Sequence, residues 1–313
     1  MKVRFLGTGT SVGVPQIGCT CPVCTSSDPR DRRRRTGIYV STEQTAFLID
    51  TPPEMRLSCI EYGINRVEAV VLTHAHMDHI AGFDDVRRFN TLNGTKVPCS
   101  PDEPGANGRN FRIIGKPMTC FASAETIETM HHVFPYITAK PNATGLFRPM
   151  IEFSPVDGPF TIGDVRLTPF AVPHGPKTYG YLLESGGGRV GYASDCSALP
   201  DEAVELLKGV DLMVLDCLRK RPHPTHLSLA ANLAYMARIA PKRGLLIHMC
   251  HDISHADYLK ELPPHITPAY DGLEVDPMCF LDMAKARQLK EMFDHNSVYV
   301  GKRDWSREDL YER

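Results

Sequence analysis

The stretch Thr73-His74-Ala75-His76-Met77-Asp78-His79 directly follows an apolar run, Val67-Glu68-Ala69-Val70-Val71-Leu72. No other feature constrains the chain as strongly. The run reads as a buried strand, so three imidazoles and a carboxylate fall where a strand gives way to a loop. Such a turn can present several metal-ligating atoms from one compact segment. A histidine pair alone would equally suit a solvated surface loop. Asp78 and His79 extend the pair to H-x-H-x-D-H, and that pattern favours a metal site.

The 313 residues can bury a substantial core, as one large domain or two average ones. With 42% hydrophobic and 23% charged residues the composition is that of an ordinary globular chain. A formal charge of -2 predicts no general attraction to nucleic acid or anionic membrane, so anion binding must come from a local site. No run approaches the ~18 apolar residues of a membrane span. The opening residues, Met1-Lys2-Val3-Arg4-Phe5-Leu6, enter strand-like sequence without an apolar signal segment. The expectation is a cytoplasmic protein whose ten cysteines are reduced thiols, some of them metal ligands.

Residues 2 to 7 read as a strand ending in Gly7-Thr8-Gly9-Thr10, a tight turn between strands rather than a phosphate loop, since no Lys-Ser/Thr follows. Asp28 to Arg35 is the densest charge run. It reads as a solvated surface loop with an arginine or two facing an anionic substrate. Two strands fill residues 36 to 50, and Pro52 and Pro53 precede a short helix at 54 to 62. Helical spacing covers 80 to 90, whereas the Pro/Gly-rich segment 91 to 117 reads as a long inserted loop. A strand at 118 to 122 leads into a helix capped by Ser123. Strands then follow near 160 to 172, 179 to 184, 189 to 193, 210 to 216 and 244 to 248, with helices at 200 to 208 and 228 to 239.

His174, Asp195 and His248 each follow one of these strands, an arrangement in which a rigid sheet presents reactive groups from loops at one edge. Near the N-terminus, Cys19, Cys21 and Cys24 form C-x-C-x-x-C. Three thiolates so close can wrap one tetrahedral ion if a fourth ligand arrives from elsewhere. The alternative is three small buried residues or a redox pair. An open catalytic zinc is better served by histidine and carboxylate, so this loop reads as structural.

The order H-x-H-x-D-H, His174, Asp195, His248 resembles the metallo-β-lactamase superfamily, in its two-metal hydrolase branch, over most of residues 1 to 275. The resemblance implies an α/β fold, the αββα four-layer sandwich, spanning 1 to 276, with 277 to 313 as a C-terminal extension. By the same resemblance His74, His76 and His174 hold one metal, Asp78, His79 and His248 hold the other, and Asp195 bridges them. Cys19, Cys21 and Cys24 together with His251 are similar to the structural zinc site of the cyclic phosphodiesterases of the carbon-phosphorus lyase pathway. Cys250 and His255 compete with His251 for that fourth position.

His226 resembles the non-ligand histidine of those phosphodiesterases, a general acid toward the leaving oxygen or a stabiliser of phosphoryl charge. Packing at the N-terminus of the helix that follows is the structural alternative, and His223 is the weaker functional one. The chain departs from the pattern in the 91 to 117 insertion and in the tail, whose helical spacing at 281 to 293 suggests a packing or homodimer contact.

The function implied is hydrolysis of a small cyclic phosphate or nucleotide-like phosphodiester by a hydroxide bridging two divalent metals. Histidine and aspartate ligands accept manganese, zinc or iron. With neutral imidazoles, the carboxylates and hydroxide leave a two-metal site slightly positive, which suits a phosphodiester anion. The alternatives are a tRNase Z-like RNA endonuclease, a hydrolase of other esters, or a quinone-cofactor biosynthesis protein of the same fold. Net negative charge and the lack of a recognisable RNA-gripping arm argue against nucleic acid.

Overall fold

Apolar side chains alternate between two buried directions along most strands, the pattern of sheets covered on both faces. In a computed structural model that describes residues 1–103, 108–138 and 150–279, this pattern builds two seven-stranded sheets. The first half contributes β1 (Lys2–Gly7), β2 (Gly37–Ser41), β3 (Ala46–Ile49), α1 (Met55–Glu61), β4 (Ala69–Val71), α2 (Met77–Ile80) and α3 (Arg87–Leu92). It continues through β5 (Thr95–Pro98), β6 (Phe111–Ile114), β7 (Met118–Ala122), α4 (Ala124–Val133), α5 (Pro135–Thr138) and β8 (Ile151–Pro155). The second half contributes β9 (Phe160–Ile162), β10 (Val165–Val172), β11 (Thr178–Ser185), β12 (Gly188–Ala193), α6 (Asp201–Leu207) and β13 (Leu212–Asp216). It ends with α7 (Leu229–Ile239), β14 (Arg243–Ile247), α8 (His255–Glu261), β15 (Ile266–Pro268) and β16 (Glu274–Val275).

The first sheet runs β16-β1-β2-β3-β4-β7-β8 and the second β15-β14-β13-β12-β11-β10-β9. Their facing sides share one core, in which Phe5, Phe47, Ile49 and Val71 meet Leu183, Tyr192, Val214 and Ile247. The odd-numbered residues of β3 and β4 point into it, while Leu48 and Val70 pack outward with Met55, Phe83 and Met130. On the other outer face, Met213, Leu215 and Leu246 pack with Ala203, Leu207, Met236 and Tyr258. Helices therefore flank both sheets, which is the αββα sandwich. Each large aliphatic side chain so buried contributes about 1.5–3 kcal/mol.

Chain direction decides where polar groups collect. β3, β4, β7 and β8 are mutually parallel, as are β12, β13, β14 and β15. β10 is antiparallel to β11, which is antiparallel to β12, so β10 shares the direction of β12. The carboxyl ends of β3, β4, β10, β12, β13 and β14 lead into Asp50, His74, His174, Asp195, Asp216 and His248.

Several elements differ from the sequence expectation. The helix expected over 80 to 90 is broken into α2, a 3-10 turn at Phe83–Val86 and α3. Gly82 sits at the break, donating to Thr51 O, and a Cβ there would lie 2.2 Å from Pro52 O. Segment 91 to 117 is not an irregular loop: after the last turn of α3 it forms the antiparallel pair β5 and β6. Of its described Pro and Gly residues only Pro98, at a strand end, holds a paired position, which is why strand pairing survives them.

Gly7-Thr8-Gly9-Thr10 is likewise no tight turn. Gly9 lies between the backbones of Arg35 and Met249, and a Cβ on it would meet Arg33 O at 2.5 Å. The arginine run is not a solvated loop either. Arg33 is fully buried, donating to the carbonyls of Cys250 and Ile253, and Arg34 and Arg35 pair with Glu61 and Glu54. Met1–Met278 forms one unit and Cys279–Arg313 another. The expected helix at 281 to 293 lies outside the described residues, as does 104–107 within the insertion. Among the described residues no helix is long and apolar enough to cross a membrane.

Candidate metal centre

β4 delivers the His-rich turn, and a buried carboxylate shapes it. Asp50, at the end of β3, accepts from the Thr73 backbone N–H at 2.8 Å and from the Thr73 hydroxyl. Its Oδ2 also stands 2.8 Å from His79 Nδ1. Thr73 Oγ1 in turn lies 3.0 Å from His74 Nδ1. His76 occupies the N-cap position of α2, whose single turn carries Asp78 and His79. The loop thus fixes its inner nitrogens and turns the outer ones toward the sheet edge.

Among the described residues five groups of candidate ligand atoms result, each with its members within 4.8 Å of one another; two of them include His226 and three do not. His74, His76 and His174 form the first. Asp78, His79, Asp195 and His248 form the second. His174 Nε2 stands 3.1 Å from His76 Nδ1, and His79 Nε2 stands 3.3 Å from Asp78 and 3.2 Å from Asp195. His248 Nε2 lies 3.2 Å from Asp195 Oδ2, which is also 3.8 Å from His174 Nε2. Asp195 therefore reaches both groups, the position of a bridge.

Ligand atoms about 2.1 Å from a tetrahedral ion stand roughly 3.4 Å apart, and these spacings fit that value. Buried His74 Nε2, His79 Nε2 and Asp195 Oδ1 lack any hydrogen-bond partner, as atoms meant for a cation would. Burial, aided by neighbouring imidazoles, pushes His74 well below the ordinary histidine range, so it is neutral and able to ligate. Asp195 stays well below the usual carboxylate range because His248 and His79 outweigh its burial.

The third group is Cys19, Cys21, Cys24 and His251, as the sequence suggested. His251 Nδ1 lies 3.3, 3.4 and 3.3 Å from the three sulfurs. A backbone N–H from Cys24 is the main cause that pulls the Cys21 thiol down to about 6, while burial pushes Cys24 up to about 11. Three thiols around one imidazole match a closed structural zinc site. The competing residues face elsewhere: Cys250 Sγ accepts from Asp252 N, and the His255 ring packs on Tyr270. Buried Arg33, bonded to Cys250 O, ties the two chain segments together beside this site.

His226 lies beside the second group, its ring stacked on His248 at 4.7 Å and 4.8 Å from that of His174. It is not simply packed against the helix start. Its Nδ1 stands 2.8 Å from Asp216 Oδ2, which also accepts from Cys196 N and Leu227 N. Burial raises the fully buried Asp216 carboxyl and lowers His226 to about 4, so the pair favours a shared proton over separated charges.

Asp216 and Asp50 are the functional groups the sequence reading passed over. Each is a carboxylate at the carboxyl end of an apolar strand, the same signal that singled out Asp195. Among the described residues three non-glycines have positive φ, and two belong here, Asp50 (φ 65) and His248 (φ 59). Backbone in this costly region is held where surrounding contacts over-determine it. Pairing of Met249 with the Thr8–Thr10 backbone does so for His248.

A family model for the beta-lactamase superfamily domain matches residues 45–249. The chain belongs to the metallo-β-lactamase superfamily. A solved structure described as a new diphosphatase from the PhnP family superposes with a TM-score of 0.73 at 34% identity, covering 88% of this chain and 97% of that one. In sequence and fold the chain is thus close to a PhnP-family structure of that superfamily. Zinc-bound PqqB from Methylobacterium extorquens superposes at 0.69 with 19% identity, covering 88% of this chain and all of that one, a likeness of fold. An octanoyltransferase from Porphyromonas gingivalis is 31% identical over 280 residues, 88% of this chain and 51% of that protein. The chain spans about half the length of that relative.

Proposed function

We propose that this superfamily member is a two-metal phosphodiesterase acting on a small cyclic phosphate or nucleotide-like diester. The observation that carries the reading is Asp195, whose carboxylate reaches both ligand groups while the Asp216–His226 pair stands beside it. His74, His76 and His174 would hold one divalent ion, Asp78, His79 and His248 the other, with manganese, zinc or iron acceptable to these donors. When bound, such a pair lowers the pKa of water and neutralises phosphoryl charge in an in-line displacement. The likeness to a diphosphatase supports phosphoryl over carboxyl chemistry.

The chain's own groups then divide the remaining work. Neutral imidazoles and two carboxylates leave the occupied site mildly positive, matched to a diester anion. His226 Nδ1 is committed to Asp216, so its other ring nitrogen donates to the leaving oxygen, beside His174, whose ring centre lies 4.8 Å from its own. As that proton leaves, Nδ1 takes the one shared with Asp216, so the imidazole stays neutral and the negative charge comes to rest on the Asp216 carboxylate, which the Cys196 and Leu227 backbone N–H groups already bond. Cys19, Cys21, Cys24 and His251 bear on stability alone.

Manganese-loaded protein should hydrolyse bis(p-nitrophenyl) phosphate, lose that activity to a chelator, and lose it when Asp195 is replaced by alanine. Hydrolysis that survives Asp195→Ala, or no hydrolysis by the loaded wild type, would overturn the reading. A panel of cyclic phosphates and linear nucleotides then ranks substrates.

A further inference from the structure

His223, three residues before His226, lies beside it and has no part in the scheme above. It is partly exposed, and its ring centre lies 5.2 Å from that of His226. The Thr225 backbone N–H donates to its Nδ1 at 3.4 Å, and Thr225 Oγ1 is 3.2 Å from the same atom. A neutral imidazole that accepts at one nitrogen donates at the other, so His223 keeps an Nε2–H for a ligand. Thr225 also holds the metal-site side, since its carbonyl accepts from His174 Nδ1 at 2.9 Å.

Arg219 stiffens this loop and gives it charge. Its Nε and a terminal nitrogen donate to the carbonyls of Arg221 and Pro222 at 3.3 and 3.1 Å. These bonds hold the guanidinium against the backbone immediately before His223, whose imidazole is held below its ordinary range by partial burial, then by His226 and Arg219. The rings of His248, His226 and His223 follow one another at 4.7 and 5.2 Å, from buried His248 in the ligand set to partly exposed His223. A phosphoryl group at the inner end, with its leaving oxygen at His226, directs the leaving group toward His223. A fixed N–H donor backed by a guanidinium suits an anion there.

We propose that His223, backed by Arg219, is a specificity-determining residue that binds a second phosphoryl group on the leaving-group side of the substrate. The inference rests on the phosphodiesterase reading for the direction of the leaving group.

The test is calorimetric and needs no turnover. Inorganic pyrophosphate and orthophosphate are titrated separately into manganese-loaded wild type, His223→Ala and His223→Gln, with manganese in constant excess. Wild type should bind pyrophosphate about 10-fold more tightly than orthophosphate, one charge-assisted hydrogen bond's worth of discrimination. His223→Ala should erase most of that preference while shifting orthophosphate less than about 2-fold, and His223→Gln, which keeps a donor, should retain part of it. No preference in wild type, an unchanged preference in His223→Ala, or equal weakening toward both ions would overturn the proposal. The phosphodiesterase reading fails on a different result, the absence of diester hydrolysis by the wild type.

Discussion

Asp50 Oδ2 stands 2.8 Å from His79 Nδ1, and both side chains are fully buried. The contact settles which His79 nitrogen faces the ligand set: Nδ1 is engaged, so Nε2 turns to Asp78 and Asp195. The same carboxylate holds Thr73, which touches His74, so one residue outside the ligand groups orients both ends of the His-rich turn. Partners of this kind are as necessary as the ligands they orient.

Asp50→Ala should weaken metal binding at the Asp78/His79/His248 position about 10–100-fold. Competitive titration against a metal-sensitive dye reads this directly. Affinity equal to wild type would show that His79 is held by packing alone.

Asp216→Asn should slow hydrolysis in a way that depends on the leaving group. An alkoxide leaving group needs a proton, and its kcat should fall about 10²-fold. p-Nitrophenolate leaves well unprotonated, so its kcat should fall far less. Equal losses on both would place Asp216 in folding rather than in proton delivery.

Cys21→Ser should remove about one metal ion per chain, measured by elemental analysis of purified protein, and lower the melting temperature. Serine is a poor zinc ligand, and His251 with two thiols cannot close a tetrahedral set. Unchanged metal content would rule out the structural site.

Arg33→Met should destabilise the fold by about 2–4 kcal/mol in urea unfolding. The methionine restores volume but leaves the carbonyls of Cys250 and Ile253, and buried Asp31, without their cation. A loss below about 0.5 kcal/mol would mean that water replaces the guanidinium.

Gly82→Ala should cost about 1–3 kcal/mol, because its methyl would fall on Pro52 O and something must shift. The shift is transmitted to α2, so a matching fall in metal affinity is expected, measured beside the unfolding curve.

The sequence by itself singled out the residues that gather as candidate ligands, since H-x-H-x-D-H, His174, Asp195 and His248 each follow a strand whose apolar alternation is visible. It also determined the cysteine set, because thiol spacing is a local property, and it located most of the strands and helices. Tertiary structure decided what depends on elements meeting across the fold. Asp50 and Asp216 look like ordinary strand ends until β3 is placed beside the His79 turn and β13 beside His226. The arginine run looks like solvent-facing charge until carbonyls and carboxylates distant in sequence close around Arg33. Gly9 and Gly82 look like turn formers until another backbone is found pressed against them. Periodicity reports which face of an element is buried; it carries no record of which polar group waits on the other side.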